Sequence, residues 1–129
     1  MSLRLLIADD NHDMANLLAK LLRREGFEVQ IANDGDAAIE AALTFHPDIL
    51  ILDLCMPRLG GLEVATHLRS LADFSGKVFI AITGYTDATH LDQISQSQFD
   101  AYLIKPFRID RLLEVLQGAA GRLHGVAAN

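Results

Sequence analysis

Residues 49–57 have the sequence ILILDLCMP, and this segment is the most informative about the fold. Four apolar residues run directly into Asp53, and the turn-forming Pro57 follows. An apolar run of this length, bounded by turn residues, is typical of a central strand that is buried on both faces of a sheet. Asp53 would then stand where the strand leaves the sheet, and open α/β sheets bind their ligands outside the carboxyl ends of their strands. The candidate site residues are therefore those that share this edge.

Outward from this stretch, strand-like runs alternate five times with segments whose apolar residues recur at helical spacing. Short connections between such pairs predict an α/β fold, with a parallel sheet and helices on both faces. The second run alternates apolar and polar residues, which favours an edge strand. The predicted strands are Leu3–Ala8, Phe27–Ala32, Ile49–Leu52, Val78–Ile82 and Ala101–Ile104. Helices are predicted between Asn11 and Gly26, between Asp36 and His46, from Gly61 or Leu62 to Leu71, from Asp87 to Ser97, and from Phe107 or Arg108 onward.

The apolar stripes of these helices predict which side chains pack on the sheet. Met14 and Leu17 belong to the stripe of the first helix, Leu43 to that of the second, and Leu62 to that of the third. The fourth helix has a thin stripe of three apolar residues among polar ones. We therefore expect the fourth helix to rearrange at low cost.

The 129 residues suit a single domain, since half are hydrophobic and 22% are charged. We assign the folded domain to residues 1–118 and interpret 119–129, which are rich in glycine and alanine, as a tail or linker stub. No apolar run approaches the ~20 residues that span a bilayer. The start of the chain does not resemble a signal peptide, and the single Cys55 suits a reducing compartment, so a cytoplasmic location is expected.

The net charge of −6 argues against direct nucleic-acid binding, which needs a basic surface. It permits a cation site, because acidic residues follow two of the predicted strands. Asp9 and Asp10 follow the first strand and Asp53 the third, while Thr83 follows the fourth and Lys105 the fifth. In a doubly wound sheet of order 2-1-3-4-5, strands 1 and 3 are neighbours, so the three carboxylates would converge.

Three converging carboxylates repel one another unless a cation or a proton intervenes. Oxygen ligands in a half-open site suit Mg²⁺, which often works beside phosphoryl groups. The hydroxyl of Thr83 and the ammonium of Lys105 suit the free oxygens of a transferring phosphoryl group. Asp53 is central, so it is the natural nucleophile for an acyl phosphate. Taken singly, Asp9 and Asp10 also suit a cap for the first helix.

The acidic pair, the Asp53-x-x-Met56-Pro57 segment, the Thr83-Gly84 step and the Lys105-Pro106 step occur in this order on the correct strand ends. This arrangement resembles the receiver domain of bacterial two-component response regulators, over about residues 3–116. The resemblance implies a flavodoxin-like (βα)5 fold. It also implies that the chain is a signalling phosphoacceptor, not an enzyme that acts on separate substrates.

The resemblance assigns a role to each site residue. Asp53 would take the phosphoryl group from a histidine kinase or a histidine phosphotransfer protein. Asp10, Asp53 and the backbone carbonyl of Cys55 would bind Mg²⁺ directly, and Asp9 would bind it through water. Thr83 and Lys105 would each hold a phosphoryl oxygen.

The resemblance also implies a switch. Tyr102 matches an aromatic position whose ring turns inward when Thr83 moves, although a half-buried strand aromatic is an equally good reading. The Lys105–Pro106 bond is expected to be cis. The readout surface would be the fourth helix, the fifth strand and the fifth helix, which would bind a downstream protein. A bulky Tyr85 beside the site predicts slow loss of the phosphoryl group.

Several alternatives stay open. The domain would be either a stand-alone regulator or a part of a hybrid kinase, and the Thr83-Gly84-Tyr85 sequence resembles that of receivers attached to hybrid sensor kinases. It would be either a monomer or a weak dimer. A non-phosphorylated protein-interaction module is the runner-up function. A magnesium-dependent phosphatase is disfavoured, because Cys55 cannot serve as its acid and the chain has no room for a cap domain. The Gly60-Gly61 pair is interpreted as loop flexibility, since no P-loop pattern surrounds it.

Overall fold

The computed structural model describes residues 2–84 and 98–128, with side chains described as far as residue 121. Five parallel strands form one sheet in the order β2-β1-β3-β4-β5. The predicted fold class and strand order are therefore confirmed, and β2 is an edge strand as predicted. The strands are β1 (Arg4–Ala8), β2 (Glu28–Ala32), β3 (Ile49–Asp53), β4 (Val78–Thr83) and β5 (Ala101–Ile104).

In the described residues, helices follow β1, β2, β3 and β5, as the alternating pattern predicts. Asn11 caps the first by accepting a hydrogen bond from the backbone of Met14, and Asp34 caps the second in the same way. The fourth predicted helix (Asp87–Ser97) and Tyr85 lie outside the described residues. The helices are α1 (His12–Arg24), α2 (Gly35–Phe45), α3 (Gly61–Arg69) and the C-terminal helix (Ile109–Ala128), with a 3₁₀ turn at Ala72–Phe74.

The sheet separates two hydrophobic clusters, because alternate residues of each strand point to opposite faces. On one face, Ile49 and Ile51 of β3 pack with α1 and the C-terminal helix. On the other face, Leu50 and Leu52 pack with α2 and α3. Every residue of β3 is buried. The apolar run 49–52 is therefore the central layer of the core, and it delivers Asp53 to the carboxyl edge of the sheet.

The predicted inner faces of the helices are wrong at four positions. Met14 is 36% exposed and Leu17 is 54% exposed, while Leu43 and Leu62 are also exposed. On α1 the fully buried contacts include the small residues Ala15 and Ala19. Small residues let the helix approach the sheet closely, so larger neighbours at the margin of the stripe are left outside. The sequence periodicity identifies the stripe but not its centre.

The C-terminal helix continues to Ala128, past the glycine at which we expected the chain to become a tail. Gly118 and Gly121 lie within the helix with no heavy atom near enough to crowd a side chain. A glycine costs about 1 kcal/mol relative to alanine in a helix, and the neighbouring alanines and leucines favour helix. Residues 119–128 are therefore helical, and their interpretation as a tail or linker stub stays a prediction. The domain boundary at 118 stays a prediction.

Candidate functional site

The predicted site residues meet at the carboxyl edge of the sheet. Asp9 directly follows β1, and its backbone N–H donates to the carbonyl of Ala32 at 3.0 Å. Asp53 ends β3 beside Ile82 of β4. Carboxylate oxygens of Asp9, Asp10 and Asp53 all lie within 4.8 Å of one another. Asp9 and Asp53 are buried, whereas Asp10 is exposed.

Each buried carboxylate is held by a backbone N–H two residues later. Cys55 N–H donates to Asp53 Oδ1 at 2.9 Å, and Asn11 N–H donates to Asp9 Oδ1 at 3.0 Å. Such local bonds fix the rotamer of each side chain and aim the second oxygen into the site. The second oxygens both face Lys105, whose Nζ is 2.9 Å from Asp53 Oδ2 and 3.5 Å from Asp9 Oδ2.

Lys105 is positioned by the end of the sheet. Its backbone N–H donates to the carbonyl of Thr83 at 2.7 Å, so the end of β5 is tied to the end of β4. The Lys105–Pro106 bond is cis, as the sequence resemblance implies. Thr83 itself is buried. The structure thus brings Asp9, Asp10, Asp53, Thr83 and Lys105 to one edge, and their chemical roles stay predictions.

Two further residues lie at the margin of this cluster of site residues: one was predicted from the sequence and the other was not. Tyr102, the predicted switch residue, is 39% exposed on β5, the edge strand that ends at Ile104. Asn33, to which the sequence analysis gave no role in the site, donates from Nδ2 to the carbonyl of Asp9 at 3.0 Å. It supports the loop that carries the acidic pair. Its position directly after β2, at the same edge of the sheet, was the available signal.

The glycine pair after β3 is packed, so its interpretation as loop flexibility is wrong. A Cβ atom at Gly61 would lie 2.6 Å from the backbone oxygen of Asp53. A Cβ atom at Gly60 would lie 2.4 Å from the backbone oxygen of Leu54. Real Cβ atoms do not approach so closely, and the neighbours are backbone atoms that cannot rotate away.

The site carries more negative than positive charge, and this imbalance shifts the pKa values of its side chains. Burial raises the pKa of Asp9, and the nearby Asp53 raises it further, against a lowering by the backbone hydrogen bond from Asn11. Burial would lower the pKa of Lys105, but its hydrogen bond and attraction to Asp53 raise the pKa above the ordinary value. The ammonium of Lys105 therefore faces the carboxylates of Asp9 and Asp53, and the carboxylate of Asp10 belongs to the same cluster.

The site fits a hard divalent cation. Asp9 Oδ2 is buried and accepts no hydrogen bond from the described part of the chain. Asp10 and Asp53 border an open cleft of about 520 Å³ that Cys55 and Lys105, among others, also line. Carboxylate oxygens, a backbone carbonyl and room for water are the ligands that Mg²⁺ prefers.

Asp9→Asn is expected to stabilise the metal-free protein at pH 7 by about 1–2 kcal/mol. A raised carboxyl pKa means that the native state binds the proton more tightly than the unfolded state does. Stability therefore falls as pH rises from the unfolded value near 3.8 through the folded value. The gain from the variant should vanish near pH 3, where Asp9 is protonated in both states.

Urea unfolding in chelator at pH 3 and pH 7 measures this difference. Asp13→Asn is a matched control, because Asp13 is an exposed acid in the first turn of α1. Removal of its charge is expected to lower the free energy of unfolding by a few tenths of a kcal/mol, because the acid interacts favourably with the helix dipole. This effect is opposite in sign to the one expected for Asp9→Asn. An Asp9→Asn protein that is less stable than wild type at pH 7 would contradict the argument.

Comparison with known proteins identifies the class of this domain. The model of the response regulator receiver domain family matches residues 5–117. The chain belongs to this family, whose members are the receivers of two-component signalling systems. The predicted family is confirmed. Within the described residues, no helix is long and apolar enough to cross a membrane.

Individual relatives agree with this assignment. Over 113 residues the chain is 35% identical to the DNA-binding response regulator MtrA of Mycolicibacterium paratuberculosis, a match that covers 88% of this chain and 49% of that protein. It thus spans about half the length of the curated relatives that it matches.

Solved structures of receivers match nearly the whole chain. The receiver domain of a response regulator from Bermanella marisrubri is 35% identical, with a TM-score of 0.83, over 93% of this chain and 99% of that one. The response regulator TrrA of Thermotoga maritima, solved in complex with Mg²⁺ and BeF, is 31% identical, with a TM-score of 0.81, over 92% and 99%.

Proposed function

We propose that this receiver domain accepts a phosphoryl group on Asp53 from a phosphohistidine of a histidine kinase or a histidine phosphotransfer protein. The observation that carries this proposal is the buried Asp53 carboxylate, held 2.9 Å from Lys105 and within one cluster with Asp9 and Asp10. A solvent-facing strand-end carboxylate would need none of these neighbours. Burial and fixed rotamers give a nucleophile whose position is set before the donor arrives.

Asp10, Asp53 and the carbonyl of Cys55 would hold Mg²⁺ directly, with Asp9 holding it through water. When bound, the ion would neutralise the carboxylates and stabilise charge on the transferring group. The relative TrrA was solved with Mg²⁺ and BeF, which supports this ligand chemistry here. Asp9 Oδ2 supports it independently, because this buried oxygen accepts no hydrogen bond from the described residues, although it lies 3.5 Å from Lys105 Nζ.

The chain's own side chains account for the transfer step. An Asp53 carboxylate oxygen attacks phosphorus in line, the P–N bond to the donor imidazole breaks, and the imidazole leaves with the electron pair of that bond. Lys105 then exchanges its contact with Asp53 Oδ2 for a contact with a phosphoryl oxygen. The product is a mixed anhydride on Asp53. The domain in this way promotes only its own phosphorylation and dephosphorylation, and it is not an enzyme for other substrates.

The response to phosphorylation is proposed to be a shift between existing conformations. Thr83 would bind a second phosphoryl oxygen, and the exposed Tyr102 on β5 would turn inward. The surface that includes β5 and the C-terminal helix would then bind a cytoplasmic partner protein. Nucleic-acid binding, which the name of MtrA carries, would belong to another part of a longer chain.

Mass spectrometry after incubation with acetyl phosphate tests the proposal. A gain of one phosphoryl group that requires Mg²⁺ is the expected result. No gain with acetyl phosphate or with a phosphohistidine donor would contradict it and favour the interaction module. The decay rate of the product tests the Tyr85 hypothesis, which expects slow hydrolysis.

An apolar groove leads away from Lys105 between α1 and the start of the C-terminal helix. It has a volume of about 470 Å³, and its lining is mostly apolar. Leu17 and Met14 border it on α1, and Ile109 borders it on the other side. Because the groove reaches Lys105, a protein docked in it would face Asp53, so we assign it to the phosphohistidine-bearing donor.

Leu17→Asp is expected to slow transfer from a phosphohistidine protein that is active on the wild-type chain by about tenfold or more, because a charge would enter an apolar contact. The rate with acetyl phosphate should stay unchanged, since this donor needs no docking surface. Leu43→Asp is the matched control, because Leu43 is 46% exposed on α2 and does not line the groove. Equal slowing by both variants would contradict the assignment of the groove.

A further inference from the structure

The start of α3 lies against the backbone of Asp53. Gly61 is buried, and a Cβ atom there would lie 2.6 Å from the oxygen and 3.0 Å from the carbonyl carbon of Asp53, and 3.2 Å from Cβ of Leu52. Gly61 is not among the described residues with positive φ. The requirement for glycine is therefore one of space and not of backbone conformation.

The neighbouring glycine, Gly60, lies against Leu54, the first residue of the loop that joins β3 to α3. A Cβ atom at Gly60 would lie 2.4 Å from the backbone oxygen of Leu54 and 3.0 Å from Oε2 of Glu63. Gly60 has φ −79° and ψ 175°, which any residue adopts, so crowding again explains the glycine. The loop of residues 54–60 thus leaves the sheet after Asp53 and returns to the backbone of Asp53 and Leu54. This contact is next to Cys55, whose N–H donates to the Asp53 carboxylate.

The loop is also confined from outside. A Cβ atom at Gly35, the first residue of α2, would lie 2.3 Å from the backbone oxygen of Leu59. Leu59 N–H donates to the carbonyl of Pro57 at 2.8 Å, and Arg58 has a φ of 67°. The loop is therefore compact between α2 and β3, and it has little freedom to absorb a new side chain.

We propose that Gly61, with Gly60, is a positioning residue for the phosphoacceptor site. Both glycines let α3 begin in contact with the Asp53–Leu54 backbone, which fixes the Asp53 carboxylate relative to Lys105 and fixes the Cys55 carbonyl. A methyl group at either glycine displaces that backbone. In-line transfer tolerates little displacement, so the rate falls by more than the loss of folded protein. This inference rests on the proposed function and adds the structural element that sets its geometry.

Gly61→Ala is the test, measured in the full chain. We expect a rate of phosphorylation by acetyl phosphate at least about tenfold below wild type, and a weaker affinity for Mg²⁺ alone by titration calorimetry. Two other glycines supply matched controls. Gly118→Ala adds a methyl group in open space, and Gly26→Ala introduces strain at φ 100° near the opposite end of the sheet. Both controls should keep the wild-type rate and Mg²⁺ affinity.

Urea unfolding of all variants separates positioning from stability. A Gly61→Ala protein that is folded but matches wild type in rate and Mg²⁺ affinity overturns the inference. A loss no larger than that of a Gly26→Ala protein of equal stability also overturns it. If Gly61→Ala does not fold, Gly60→Ala carries the same expectations. If wild type itself accepts no phosphoryl group, the proposed function fails, and Mg²⁺ affinity alone decides the role of the glycines.

Discussion

Asp53→Asn should take up no phosphoryl group from acetyl phosphate, with a rate at least about three orders of magnitude below wild type. An amide oxygen is a poor nucleophile, and an acyl phosphate cannot form on it. The variant keeps the shape of the side chain, including an oxygen that can accept from the Cys55 N–H at 2.9 Å. Its fold should therefore persist, and only the chemistry should be lost.

The assay is intact-mass spectrometry over time, with and without Mg²⁺. Asp110→Asn is the control, because it removes one negative charge from an exposed carboxylate whose partner is the exposed Arg108. This control should be phosphorylated like wild type. Phosphorylation of Asp53→Asn on Asp9 or Asp10, at a rate similar to that of wild type at Asp53, would show that the acceptor is wrongly assigned.

The sequence was sufficient to predict the sheet and the edge at which the site forms. The apolar run before Asp53 specifies a strand buried on both faces, and that strand then fixes where Asp9, Thr83 and Lys105 must lie relative to it. Strand ends in a parallel sheet share one edge, so a pattern of single residues becomes a three-dimensional cluster. This step needs topology but no side-chain detail.

Three features escaped the sequence for physical reasons. Burial of Ala15 and exposure of Leu17 depend on how closely α1 approaches the sheet, which periodicity does not encode. The continuation of the C-terminal helix past Gly118 depends on a sum of small propensities. The packing of Gly61 on Asp53 is a contact of backbone with backbone, so no side chain in the sequence indicates it.

Arg69 makes further contacts that no sequence motif predicts. Its Nη2 donates to Asp100 Oδ2 at 2.9 Å, and its carbon Cζ lies 4.1 Å from the centre of the Phe79 ring. Its remaining nitrogens donate to three backbone carbonyls, those of Gln98 at 3.1 Å, Lys77 at 3.1 Å and Ser75 at 3.4 Å. The guanidinium thus joins the end of α3 to the starts of β4 and β5.

Arg69→Met is expected to lower the free energy of unfolding by about 2–4 kcal/mol. Methionine preserves part of the packing on Phe79 but leaves the carbonyl groups without their donor. Asp100 is partly exposed to solvent and keeps a hydrogen bond from the backbone of Phe79 at 2.8 Å, so the loss of its cation costs less than it would at a buried carboxylate. Urea unfolding measures the loss, and Arg108→Met is the control, since an ion pair as exposed as that of Arg108 contributes at most about 1 kcal/mol.

The same variant separates stability from site geometry. Arg69 contacts the residues before β5, whereas Lys105 follows the other end of that strand. Folded Arg69→Met protein should therefore be phosphorylated at nearly the wild-type rate despite its large loss of stability, while Gly61→Ala should lose rate beyond its loss of stability. The alternative is that Arg69→Met and Gly61→Ala lose the same phosphorylation rate at an equal folded fraction. The rate would then follow stability alone, and a separate effect of the β3–α3 glycines on site geometry would be contradicted. Stability equal to wild type would instead show that the contacts of Arg69 contribute little to the fold.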